Sequence, residues 1–122
     1  MASVVTNGGK GVITGRIKGT GTEPNYVAWG TGAGTAAITD AALFTAGSEA
    51  RTAGTSTQVT TTTTNDTYQV VGNIVASGAK TITEVGLFTD VSAGTLYMHA
   101  DFTGIALASG DSITFTIKTQ LT

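Results

Sequence analysis

The chain has 122 residues and a mass of 12.2 kDa, which is the size of one domain. It has no cysteine, and this excludes disulfides, thiolate metal sites and cysteine nucleophiles. Charged residues make up only 11% of the chain, against about 25% in a typical soluble domain. A surface this poor in charge is unusual for a freely diffusing monomer, so the composition favours a protein that is docked in an assembly.

No apolar run approaches the roughly 20 residues of a membrane span, and the first residues lack the pattern of a secretory signal. We therefore expect synthesis in the cytoplasm and no membrane partner. Threonine and glycine together make up more than a third of the chain, and they favour strands and turns respectively. The composition therefore predicts β structure.

The net charge of −2 conceals an uneven distribution of charge along the chain. Residues 1–22 carry Lys10, Arg16 and Lys18 and no acid, whereas residues 23–122 carry three bases and all eight acids. Three cations are too few for strong nucleic-acid binding, which usually neutralises more phosphates. A nucleic-acid partner is therefore not expected.

The N-terminal stretch, residues 1–24, has two interpretations. Its closely spaced glycines prevent it from forming a core by itself, which is typical of an arm that orders on a partner. Alternatively, residues 12–17 form a strand at a sheet edge. We expect residues 1–22 to be dispensable for the fold but not for attachment to a partner, and the folded domain to span residues 25–122.

From residue 25 onward the sequence predicts short strands separated by turns. Thr39 or Asp40 could cap a short helix over residues 39–44. The threonine-rich run 52–64 is stiff and extended, and it lacks the prolines of a mucin-like linker, so we interpret it as part of a hairpin with a turn at Asn65-Asp66. The remaining strands are predicted at residues 25–29, 68–76, 81–89, 95–102 and 112–118.

Turns every 8–12 residues suggest an antiparallel β-sandwich or a small barrel, and no helical pattern alternates with the strands. We predict an all-β fold, an antiparallel β-sandwich of jelly-roll-like type. Alternation in the last two strands predicts two buried rows, one of Leu96, Met98, Ala100 and Phe102 and the other of Ile113, Phe115 and Ile117.

Few residues could carry chemistry. His99 and Asp101 share one strand face, but two ligands do not make a zinc site, and we interpret the pair as exposed. Glu84 stands alone in an apolar strand, where hydrogen bonds to turn amides or a subunit contact are more plausible than general acid catalysis. The glycines of residues 29–34 lack the Lys-Ser/Thr of a phosphate loop. We predict no catalytic residue, no metal site and no cofactor.

A sugar platform is the remaining alternative for a binding site. Tyr26 and Trp29 are three residues apart in a strand, so they lie on opposite faces and at least one belongs to the core.

Five segments of the chain, taken in order, carry a resemblance. They resemble a group of small virion proteins of tailed bacteriophages over about residues 25–119. The segments are TyrValAlaTrpGlyThrGlyAlaGlyThrAla (26–36), AspAlaAlaLeuPhe (40–44), ThrIleThrGluValGlyLeuPhe (81–88), GlyThrLeuTyrMetHisAlaAspPhe (94–102) and GlyAspSerIleThrPheThrIle (110–117).

The resemblance implies a β-sandwich with a structural role, either as a capsid decoration (cement) protein or as a tail or fibre component. Our leading interpretation is a non-enzymatic decoration protein that forms a homotrimer, binds the major capsid protein and lies on the outer surface of the virion head. The uncompensated cations Lys10, Arg16 and Lys18 are the candidate capsid contacts. A tail or fibre component is the alternative, and a carbohydrate-binding module is the competing class.

Overall fold

The computed structural model describes residues 1–122 and contains eight β-strands and one α-helix. In chain order they are β1 (Ser3–Val5), α1 (Asn7–Lys18), β2 (Tyr26–Gly30), β3 (Thr52–Ala53), β4 (Thr55–Val59), β5 (Thr67–Val75), β6 (Lys80–Phe88), β7 (Leu96–Leu107) and β8 (Ser112–Gln120). No helix has the length and apolar character that crossing a bilayer requires.

The strands form two antiparallel sheets. One has five strands in the order β1-β7-β6-β2-β3, and the other has three in the order β4-β5-β8. The two sheets pack together as a β-sandwich, so the predicted all-β antiparallel fold class is confirmed. The strand order does not establish the jelly-roll-like connectivity.

The core lies between the two sheets. Twelve buried residues form its main cluster, to which the larger sheet contributes Trp29, Ile82 and Leu87 and the smaller sheet Val70 and Ile117. A smaller cluster of Ala28, Phe88 and Leu96 lies apart from it. Because Ala28 alternates with Val27 and Trp29 along β2, this second cluster is on the outer face of the larger sheet.

A β-bulge in β7 interrupts the alternation of inward- and outward-facing side chains that the sequence predicts. Leu87 pairs with Met98 and Phe88 pairs with Leu96, so Tyr97 is an extra residue between the two pairs. As a result Tyr97 joins the main core with Met98, whereas Leu96 packs against Phe88 in the outer cluster. The prediction that Leu96 shares a face with Met98 is wrong for this reason.

Residues 1–24 are neither a free arm nor a strand at 12–17. Residues 12–17 lie in α1, and the edge strand of this region is β1, which pairs with β7. Thr6, fully buried, caps the helix by accepting a hydrogen bond from the Gly9 amide at 2.9 Å. Val5, Val12 and Ile13 pack against the main core. The expectation that residues 1–22 are dispensable for the fold therefore conflicts with their packing.

The threonine-rich run forms the predicted hairpin, because β4 pairs antiparallel with β5. Asn65 takes a positive φ of 59° in the connecting turn, and the Asp66 carboxylate accepts hydrogen bonds from the amides of Thr61, Thr62 and Thr63. These bonds, first those from Thr63 and Thr61, hold the pKa of Asp66 well below its usual value. The helix predicted over 39–44 is wrong, since these residues form an irregular loop.

Candidate functional site

Three polar side chains meet beneath the loop that follows β2. We call Asp40, Glu84 and His99 the carboxylate–histidine cluster. Glu84 on β6 and His99 on β7 are both fully buried and contact each other, and Asp40 reaches His99 from the loop. Sequence reasoning interpreted His99 as exposed, and that interpretation is wrong.

Glu84 is the centre of the cluster, and its carboxylate accepts three amide hydrogen bonds and contacts one histidine nitrogen. Its Oε2 accepts from the amides of Gly32 at 3.0 Å and Thr45 at 2.9 Å. Its Oε1 accepts from the Phe44 amide at 2.8 Å and lies 2.8 Å from Nε2 of His99. The prediction that Glu84 is hydrogen-bonded to turn amides is confirmed. These bonds compensate for burying a charge that would otherwise be costly.

His99 links the two carboxylates. Its Nδ1 lies 2.7 Å from Oδ2 of Asp40, while its Nε2 faces Glu84. A doubly protonated imidazolium donates to both carboxylates, whereas a neutral ring can donate to only one. A hydrogen bond from the Ala37 amide and the neighbouring His99 together hold the pKa of Asp40 below its usual value.

The glycines after β2 allow the loop to approach this cluster closely. A Cβ on Gly30 would lie 2.4 Å from the carbonyl oxygen of Thr45, and one on Gly32 would lie 2.4 Å from Cβ of Phe44. Within this glycine run, the Gly32 amide donates to the carboxylate of Glu84. This close approach accounts for the spacing that superficially resembles a phosphate loop.

The cluster joins four of the five segments that carry the phage resemblance. Gly32 belongs to segment 26–36, Asp40 and Phe44 to 40–44, Glu84 to 81–88 and His99 to 94–102. The adjacent Asp101 also holds the loop, because it accepts from the Ala36 amide at 2.7 Å. The Ala36 amide first, and that of Ala2 second, lower the pKa of Asp101. These motif residues therefore build one structural unit.

Sequence reasoning missed two partners in this part of the fold. The first is Asp40, which the sequence pattern suggests only as a helix cap. Its contact with His99 exists because the loop after β2 returns across β7, and no local pattern predicts that return. Glu49 accepts from the Trp29 indole at 2.8 Å and the Ser77 amide at 2.9 Å and pairs with Lys80. Burial alone would raise the pKa of Glu49, but these donors outweigh it and hold that pKa well below its usual value.

The structure does not support a sugar platform. Trp29 is 2% exposed and lies in the main core, whereas Tyr26 packs against the outer cluster. The prediction that the two rings lie on opposite faces is confirmed. No group of three or more histidine, aspartate or glutamate side chains is arranged to hold a metal ion.

The three predicted capsid contacts all lie on α1 and are exposed. At about 100° per residue, Lys10 and Lys18 are about 80° apart around the helix axis, whereas Arg16 lies on a different side. Arg16 donates to the carbonyl of Gly21 at 2.9 Å. Arg16 and Lys18 occupy the last turn, where they interact favourably with the helix dipole. The helix therefore presents two cations on one side and turns the third away.

An apolar opening is present along one side of the sandwich. We call it the lateral groove, and its volume is about 360 Å³. Nine of its eleven lining residues are hydrophobic, among them Met98, Phe102 and Ile105 from β7 and Phe115 and Ile117 from β8. Sequence reasoning placed Phe115 in the buried row of β8, and it does face inward, but it is only partly buried because the groove opens beside it.

No protein-family model matches the chain, and neither the curated proteins nor the solved structures include a significant match.

Proposed function

We propose that this protein is an accessory structural component of a tailed-phage virion that binds the outer surface of the head shell and stabilises it. Its partner on this proposal is the major capsid protein. The protein acts by adding contacts between shell subunits, and each contact made only by the assembled shell stabilises it by mass action.

The observation that carries the proposal is the convergence of the resemblance segments on the carboxylate–histidine cluster. The residues that could suggest chemistry, His99 and Glu84, are fully buried and hydrogen-bonded to loop amides and to each other. In this arrangement they hold the loop on the sheet. A motif whose polar residues serve to shape a surface supports a structural role.

The surface offers two kinds of contact for a large partner. Charged residues are few, and apolar side chains including Ile17, Val91 and Leu121 are more than half exposed. The exposed helix α1 adds the cations Lys10 and Lys18 on one side. We propose that this helix faces an acidic area of the shell, where long-range attraction guides attachment and a shape-matched surface supplies most of the affinity.

Labelled antibody against the chain, imaged on intact virions by electron microscopy, tests the location. Label distributed over the whole head supports the proposal, and quantification should give hundreds of copies per particle. Label confined to the tail or its fibres supports the alternative component. Absence of label from the particle overturns the proposal.

The contribution of α1 is tested by binding of the purified protein to undecorated heads. The double variant Lys10→Glu, Lys18→Glu should bind more weakly than the wild type, and the loss should be larger at low salt because exposed charges are screened by ions. Lys118→Glu is the control, since Lys118 is exposed but lies on β8. It changes the net charge by half as much as the double variant does. A loss of binding free energy half as large as that of the double variant would therefore show that only net charge matters.

The resemblance predicts a homotrimer, whereas the exposed edge of the smaller sheet favours a dimer of the isolated protein, as argued below. The two are alternatives, and light scattering on the isolated protein distinguishes a trimer from a dimer or a monomer.

A further inference from the structure

The four sheet edges of the sandwich differ greatly in length. The edge strands of the larger sheet are β1 with three residues and β3 with two, and the smaller sheet ends at β4 with five residues and β8 with nine. Short edges protect a protein against unwanted strand pairing. β8 is the exception: it pairs with β5 over nine consecutive residues without a bulge, contains no proline and carries one charge, Lys118.

The free side of β8 presents a regular row of backbone groups. Just beyond the two ends of the β5–β8 ladder, Leu121 N–H donates to the carbonyl of Asp66 and Ala76 N–H donates to that of Asp111. Because hydrogen-bonded pairs alternate along an antiparallel ladder, the odd-numbered residues of β8 direct their N–H and C=O groups toward β5. The groups directed to the free edge are those of Ser112, Thr114, Thr116, Lys118 and Gln120.

The side chains of the same strand leave apolar surface beside this edge. Ile113, Phe115 and Ile117 face inward, and all three line the lateral groove opposite Phe102 and Ile105 of β7. The rings of Phe102 and Phe115 are 6.3 Å apart. A strand added to the edge of β8 would continue the smaller sheet and cover this groove with its own inward-facing side chains.

We propose that the occupant is a second copy of this chain, with the two β8 strands paired antiparallel about a twofold axis at Thr116. The two three-stranded sheets then form one continuous six-stranded sheet. The inference concerns the isolated protein and does not depend on attachment to a shell.

The sequence of β8 is self-complementary in this register. Thr116 pairs with Thr116 of the second copy, and the even-numbered residues, whose backbone groups are free, form the hydrogen-bonded pairs. Phe115 lies beside Ile117 of the second copy, so the two apolar rows continue each other on the inner face. Lys118 lies opposite Thr114 of the second copy, so no like charges meet. A register centred on Lys118 would oppose the two ammonium groups.

The first measurement is the mass of the full-length protein by light scattering over a series of concentrations. A concentration-dependent mass that rises toward twice the chain mass of 12.2 kDa is expected. A constant mass of 12.2 kDa, or a mass three times as large, overturns the proposal.

A matched pair of substitutions at Thr114 tests the register. Thr114 is exposed, so either side chain is tolerated by the fold, and both variants lose the same hydrogen bond from Asn73. Thr114→Glu places a carboxylate opposite Lys118 of the second copy at two symmetric positions, and it should lower the dimer dissociation constant by about 2- to 30-fold. Thr114→Lys should raise it by a similar factor. Equal effects of the two variants overturn the register.

Thr116→Pro tests whether the edge itself is the interface. The Thr116 amide faces the free edge, so proline removes no hydrogen bond to β5 but blocks pairing with another strand. The variant should remain monomeric with a cooperative melt. A dimer that persists in the folded proline variant overturns the proposal. If that variant fails to fold, Thr116→Lys replaces it, because it places two like charges side by side on exposed positions and should raise the dimer dissociation constant. An unchanged dissociation constant in the lysine variant overturns the proposal.

Discussion

Replacing Glu84 by glutamine removes one acceptor atom from the centre of the carboxylate–histidine cluster. Each carboxylate oxygen of Glu84 has two hydrogen-bond partners in the native structure. A glutamine amide has one oxygen and one NH₂ group, so two of these four partners must face the NH₂. The least costly orientation directs the NH₂ toward Phe44 N–H and His99, because the ring can change tautomer and accept.

In that orientation the Phe44 amide still loses its acceptor. A hydrogen bond to a charged group is worth about 1.5–3 kcal/mol, and the other amide bonds become neutral, so the free energy of unfolding should fall by about 2–4 kcal/mol. This is a large part of the roughly 5–15 kcal/mol typical of a domain. The midpoint of thermal unfolding should fall by roughly 6–20 °C for a chain of this length.

Urea unfolding measures the loss directly, and hydrogen exchange locates it. The amides of Gly32, Phe44 and Thr45 should exchange faster in Glu84→Gln, while amides of the β5–β8 ladder change only with global stability. Glu23→Gln is the matched control. Glu23 accepts one hydrogen bond, from the Tyr68 hydroxyl, which an amide oxygen can also accept, so its change should be about 0.5 kcal/mol or less. If Glu84→Gln is no worse than this control, the cluster does not hold the loop.

Three further predictions follow from the packing and the charges. Gly9→Ala should destabilise the protein by about 1–3 kcal/mol, because the added Cβ would lie 2.1 Å from the carbonyl oxygen of Tyr97. Gly11→Ala should instead stabilise α1 by up to about 1 kcal/mol, because its Cβ would have no atom within 4 Å, so urea melts of the two variants should shift in opposite directions. Phe115→Ala should lower the free energy of unfolding by about 2 kcal/mol, less than the roughly 3–5 kcal/mol lost with a fully buried phenylalanine, because Phe115 is only partly buried. Thr116→Ala should lower it by about 0.5 kcal/mol or less in melts at the same protein concentration, and a larger loss for Thr116→Ala than for Phe115→Ala would mean that the face assignment of β8 is wrong. Four carboxylates have folded-state pKa values below their usual range, so their contribution to stability is complete above about pH 5, where the same groups are also ionised in the unfolded chain, and it is lost as the pH falls further. A melting temperature that rises on acidification from pH 5 to pH 2 would contradict this.

The sequence was sufficient to predict the strands from residue 25 onward and most of their faces, but not β1. Alternation of apolar and polar residues in β8 is a local signal, since successive side chains of a strand must point to opposite faces. The threonine run predicted a strand of the β4–β5 hairpin for the same kind of reason, because β-branched residues are stiff and extended. A single acid in an apolar strand needs hydrogen-bond donors, and this requirement predicted either turn amides or a subunit contact for Glu84, of which the turn amides are observed.

The errors arose where distant parts of the chain decide the local structure. Residues 12–17 have a strand-like composition, but they are helical because Thr6 caps the helix and Gly9 lets the helix pack closely on β7. The β7 residues that it contacts lie about 90 positions further along the chain. Leu96 leaves the predicted face because Tyr97 is an extra residue relative to β6, and a bulge has no signature in strict alternation.

The burial of His99 illustrates the limit most clearly. Within its own strand it is one polar residue among apolar neighbours, and its nearest sequence partner, Asp101, suggested an exposed pair. Its hydrogen-bond partners are Asp40, 59 positions before it, and Glu84, 15 positions before it. Local sequence determined that β7 is a strand. Only the return of the loop across the sheet decided that His99 is enclosed, because burying a polar ring is favourable only when both its nitrogens find partners.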